Sequence, residues 1–108
     1  MTKVKEKTIE EVRDEFVNHL IALIDIWDSY KNKTSKEKLE GLTHSILVAL
    51  DGQTFVLPAF IVAPHPHETD KKYRIDNNED YYPENHKIEN KIKCNIAGEL
   101  HHIFNQKK

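Results

Sequence analysis

His65 and His67 stand one residue apart in VAPHPHETDKKYRIDNNEDYYPENH, the polar stretch over residues 62–86. Alternate side chains of an extended chain point the same way, so the pair could ligate one divalent transition metal. Asp70 and His86, or the later Glu99, His101 and His102, would complete the shell. Such a metal would activate water for hydrolysis. The known ligand patterns fail, however. An H-x-H-x-D-H run needs Asp where Thr69 stands, and Glu99-Leu100-His101 is no H-E-x-x-H helix.

Other chemistries are less well served. Asp76, Asn78 and Asp80 fit positions 1, 3 and 5 of an EF-hand loop, but Tyr81 stands where glycine turns that loop and Lys87 where a bidentate Glu closes it. Cys94 lies in an apolar alternation, as a small core residue would, and Ser45 has no G-x-S-x-G context. Glycines at 41, 52 and 98 are too few and too far apart for either phosphate-binding loop.

Recognition uses more of the stretch. Tyr73, Tyr81 and Tyr82 offer rigid stacking surface, Asn77, Asn78 and Asn85 adaptable hydrogen bonds, and Lys71, Lys72 and Arg74 cations, with His65 and His67 beside them. Seven acidic residues against four basic ones over 64–90 favour a cationic partner. A connection longer than about 12–15 residues is functional or disordered. Pro64, Pro66, Pro83 and the tyrosines point to an ordered polar loop over 64–90.

The elements that must position this loop are legible in part. Thr8 and Glu11 form a capping box, and Ile9, Val12, Phe16, Leu20, Leu23, Trp27 and Tyr30 recur at helical spacing, with Val17, Ile21 and Ile24 widening the stripe. A helix over 8–30 would run about 35 Å. Thr34 and Glu37 repeat the box, predicting a short helix or turn that Gly41 terminates.

HSILVALDGQTFVLPAF, residues 44–60, reads as two β-rich runs around Asp51-Gly52, a dipeptide suited to a tight hairpin turn. Leu50 then faces Gln53, Val48 faces Phe55 and Ile46 faces Leu57. Both sheet faces are apolar and need covering. Ile92, Cys94 and Ile96 suit a third strand to about Asn95, followed by a helix with Ile96, Leu100, Ile103 and Phe104 on one face and His101 and His102 within it. His44, His101 and His102 read as structural histidines.

Composition sets the frame. The 108 residues are 38% hydrophobic and 31% charged, with 3 Gly and 4 Pro, as in one globular domain. A net charge of −2 supplies no basic field for nucleic acid, and the lysines of 31–38 and 91–93 read as solvated faces. One cysteine permits no internal disulfide, and the N-terminal residues hold no apolar signal segment. The longest apolar run, 55–64, is about half of the ~20 residues that a membrane helix needs.

The expectation is a single cytoplasmic α+β domain over residues 1–108, with the first and last helices packed on a small antiparallel sheet that contains the 44–60 hairpin. Its apolar excess predicts a homodimer. The expected function is non-catalytic binding or regulation of an inhibitor, immunity or ligand-sequestering type, for a protein or small polar ligand and with no cofactor. The alternative is a metal-dependent hydrolase using His65 and His67.

Overall fold

The computed structural model describes residues 4–84 and 92–108. It contains four helices, α1 (Ile9–Asp28), α2 (Ser35–Leu50), α3 (Asp70–Asp76) and α4 (Leu100–Lys107). No strand occurs among the described residues, so the expected α+β fold with its antiparallel sheet gives way to an all-helical one.

Both capping boxes form. Thr8 Oγ1 accepts from the Glu11 N–H while Glu11 Oε1 accepts from the Thr8 N–H, and Thr34 and Glu37 repeat the exchange. Each box satisfies two N–H groups that a helix start leaves without partners. α1 closes at Asp28, two residues before the expected end.

α2 passes straight through Gly41. A Cβ built there would lie 2.5 Å from Trp27 Cη2, so this glycine is the notch that lets α1 and α2 approach, not a helix stop. Beside it the Trp27 indole N–H donates to Ser45 Oγ at 2.9 Å.

The expected hairpin fails at its turn. Gly52 adopts φ +78°, which suits a hairpin turn and a helix terminus equally. Here the Gly52 N–H donates to the Ala49 carbonyl at 3.2 Å and the Gln53 N–H to the Val48 carbonyl at 3.0 Å, the pair of bonds that closes a helix in a Schellman motif. Residues 44–50 are therefore the last two turns of α2. Ile46 and Val48 cost a helix only a few tenths of a kcal/mol each, far less than packing against α1 returns.

The third strand is also absent. Cys94 takes φ +62° and is exposed, contrary to its reading as a core residue. Asn95 Oδ1 accepts from the Val62 and Ala97 N–H groups, while the Ile96 N–H donates to the Val62 carbonyl at 2.7 Å. Asn95 thus fastens two chain segments together, and the last helix begins only at Leu100.

α2 is the central helix, packed on α1 and on α4. Trp27 meets Gly41 and Ser45, His19 and Leu23 share a cleft with His44 and Val48, and Val12 and Phe16 share another with Leu50 and Phe60, which makes α1 and α2 an antiparallel hairpin. α4 runs antiparallel along α2, through His101 to Asp51, Asn105 to His44 and Lys108 to Glu40.

Little of this is dry. Ala49 and Leu57 are the buried apolar side chains among the described residues. The chain exposes 9003 Å², against about 6,200 Å² for a folded monomer of its mass. Its radius of gyration is 18.0 Å, where about 13 Å is usual.

Candidate functional site

The tyrosine-rich stretch folds around α3. The His67 carbonyl accepts from the Asp70 N–H at 2.9 Å to start the turn, and Asn78, at φ +56°, ends the helix. The Asn78 N–H donates to the Ile75 carbonyl and the Glu79 N–H to the Arg74 carbonyl, a second Schellman closure with asparagine in the left-handed position.

Arg74 organises the chain on both sides of that closure. Its Nε donates to both Asp70 carboxylate oxygens at 3.1 and 3.0 Å, and its Nη1 reaches the Asp80 carbonyl at 3.4 Å. Its guanidinium stacks 4.8 Å from the centre of the Tyr82 ring, while Lys71 Nζ lies 5.1 Å from that of Tyr81. The Asp70 hydrogen bonds hold the Arg74 pKa above its ordinary value. Lys72 pairs with Asp76 at 2.7 Å.

The expected recognition residues therefore divide. Lys71 with Tyr81 and Arg74 with Tyr82 form two neighbouring cation–aromatic pairs, whereas Lys72 pairs with Asp76 and Tyr73 is exposed. Tyr73, Tyr81 and Tyr82 keep half or more of their surface exposed. Asn85 and His86 lie outside the described residues, as does the rest of the 64–90 loop beyond Glu84 up to 90.

His65 and His67 meet different neighbours. His65 lines a cleft of about 280 Å³ with Pro64, Pro66 and Tyr82. His67 turns toward α3, where Nδ1 accepts from the Thr69 N–H at 3.2 Å and lies 2.9 Å from Thr69 Oγ1. That occupies the Nδ1 lone pair. Among the described residues no three His, Cys, Asp or Glu side chains converge as a metal shell would require.

A different polar centre, unmarked by any sequence motif, joins α2 to α4. The Asp51 side chain is fully buried at the α2 terminus. Its Oδ1 accepts from the Gly98 N–H at 2.6 Å, and its Oδ2 from the His101 N–H at 2.8 Å and from His101 Nδ1 at 2.5 Å. Burial pushes this carboxyl up, but the hydrogen bonds from the His101 side chain and from the His101, Gly98 and Leu100 backbone outweigh it and hold the pKa at about 2.

Asp51 is thus the N-terminal cap of a helix 49 residues further along the chain, supplied because Glu99 gives α4 no side-chain cap. Around it the His101 and His102 rings lie 4.0 Å apart and the His44 ring 5.9 Å from His101, with His44 Nδ1 bonded by Asn105 at 3.0 Å. The centre resembles an acid–histidine pair of hydrolases only in part. No serine, threonine or cysteine side chain bonds to His101 among the described residues, and the Ser45 hydroxyl of α2 is engaged by Trp27. Asp51 escaped the sequence reading because Asp-Gly was assigned to a hairpin.

No described helix is long and apolar enough to cross a membrane. Comparison with protein-family models, with curated proteins and with solved structures finds no match in any of the three.

Proposed function

We propose that the chain is a small non-catalytic binding or regulatory protein, of an inhibitor, immunity or ligand-sequestering type, that acts in the cytoplasm as a homodimer. The surface that engages its target is the face of Tyr81, Tyr82, Lys71 and Arg74, together with Tyr73 and His65, and the target is a protein or a small polar ligand. The single observation that supports this most is the stacking of the exposed Tyr82 ring on a guanidinium that is itself anchored, Arg74 by Asp70. Aromatic rings held still lose little freedom on binding, which is how preformed recognition surfaces gain affinity.

The excess exposed area supports the dimer. The hydrolase reading gains no such support, since His65 and His67 serve different neighbours and His101 has no bonded nucleophile among the described residues.

The test is quantitative affinity capture with the wild type, Tyr81→Ala/Tyr82→Ala and His65→Ala/His67→Ala, read by mass spectrometry. A component retained by the wild type, held modestly less well by the histidine variant and lost by the tyrosine variant is the expected result. Native mass spectra that show a stoichiometric metal lost only in the histidine variant would overturn it.

A further inference from the structure

Trp27 and Tyr30 make an aromatic corner where α1 ends. The Tyr30 N–H donates to the Trp27 carbonyl at 3.4 Å, which carries the last turn past Asp28. The two rings then lie side by side, 5.0 Å between centres and 51° between planes. Trp27 is fixed from α2, by the bond from its indole N–H to Ser45 Oγ and by the notch at Gly41. Tyr30 keeps 42% of its surface exposed. An indole already held in place loses little freedom when a ligand arrives.

The chain itself puts a cation on this corner. Lys33 Nζ lies 6.0 Å from the Trp27 ring centre and 5.6 Å from that of Tyr30, so one ammonium addresses both rings. Attraction of this kind reaches about 6 Å from a ring centre, so Lys33 is held loosely and is exposed to exchange. A groove of about 320 Å³ shares Trp27 with the corner. Ile24, Leu39 and Leu42 make its walls aliphatic, and Asp28 lies on its lining with a carboxylate that pairs with no cation among the described residues. Lys38, on the same lining, is engaged by the Asp28 carbonyl at 3.1 Å.

From this we infer that the corner and its groove bind a small quaternary ammonium compound of the choline type. The head takes the place of Lys33 over Trp27 and Tyr30, and the rest of the molecule lies in the groove. Two rings, aliphatic walls and one unpaired carboxylate suit a cation that asks for few hydrogen bonds. A primary ammonium or a guanidinium brings N–H donors that aliphatic walls leave unpaired. A trimethylammonium group brings none, so its methyls pack on rings and leucines while the ring faces and Asp28 meet its charge. The groove volume is that of a small-molecule pocket, which favours a free ligand over a peptide that carries a methylated lysine. The site is separate from the Tyr81 and Tyr82 face, and neither reading depends on the other.

Trp27 is the only tryptophan of the chain, so its fluorescence reads the site directly. At constant ionic strength, choline should change that fluorescence saturably. Its uncharged isostere, with a tert-butyl group in place of the trimethylammonium, should bind about tenfold more weakly. Tyr30→Ala should lose about tenfold in choline affinity while Tyr30→Phe keeps it. Lys33→Ala should bind choline more tightly than the wild type, because an internal competitor has gone. Far-UV circular dichroism checks that the variants keep their helices. Equal binding of choline and the isostere to the wild type, or no saturable change with either, would overturn the site. So would a folded Tyr30→Ala that binds as the wild type does, and weaker binding by Lys33→Ala would overturn the displacement. A trimethyllysine peptide that binds more tightly than choline would overturn the small-molecule ligand.

Discussion

His101 Nδ1 lies 2.5 Å from Asp51 Oδ2, and the two residues, fifty apart in sequence, lock α4 to the end of α2. The Asp51 carboxyl titrates at about 2 when folded, against 3.8 ordinarily. Between those values the unfolded chain binds more protons, so stability rises with pH across that window. The contribution is about 2 kcal/mol, complete above pH ~4 and lost as pH falls to about 2. Denaturant titrations at pH 6 and pH 2.5 should show the loss, and Asp51→Asn should remove most of the difference.

Asp51→Ala should cost more than the carboxylate's own titration, because it leaves the buried His101 N–H and ring, and the part-buried Gly98 N–H, without their partner. A loss of about 2–4 kcal/mol is expected. Amide exchange should rise throughout Leu100–Lys107 before it rises in Ile9–Asp28. Equal acceleration in both helices would count against the cap.

Gly41→Ala should destabilise the α1–α2 hairpin even though alanine is the better helix former. The new methyl meets the Trp27 ring at 2.5 Å, and overpacking of this kind costs about 1–3 kcal/mol. Equilibrium unfolding followed by Trp27 fluorescence reads both the stability and the displaced indole. A gain in stability would show that the helices have room to part.

Gly52→Ala should lower stability by about 1–3 kcal/mol. The position requires φ +78° for the Schellman bonds, and its added methyl would also lie 2.5 Å from the Ala59 Cβ. Gly98→Ala shares the positive φ but meets nothing within 4 Å, so thermal unfolding of the two variants side by side separates backbone strain from crowding.

Arg74→Lys keeps the charge and loses the fork. A lysine cannot bond both Asp70 oxygens, reach the Asp80 carbonyl and stack on Tyr82 at once. Exchange of the Glu79 amide should speed by about tenfold. Unchanged exchange would mean that the Schellman closure alone holds the turn.

The sequence made α1 legible because cap and stripe agree: Thr8 and Glu11 mark its start and six apolar residues, from Ile9 to Trp27, its stripe. It made the start of α2 legible for the same reason. Its end was not, because Gly41 and Asp51-Gly52 each admit two physical readings. A glycine inside a helix looks like a stop unless the indole opposite it is known, and a left-handed residue serves a hairpin and a helix cap alike. Seven residues, 44–50, are too few for a period of 3.6 to be told from a period of 2. In the 64–84 stretch the residue types were readable. The pairing of Arg74 with Asp70, four residues earlier on one turn of helix, and the fold-back of Tyr82 onto it depended on a helix that no periodicity announced.

The span between Asp51 and His101 also bears on the order of folding. The α1–α2 hairpin closes through the six residues between Asp28 and Ser35. Closing a loop of some fifty residues costs about 2 kcal/mol more chain entropy than closing one of that length. The hairpin is expected to assemble first and α4 to dock last, making α4 the first unit to detach under stress and its junction the place where a protease gains entry.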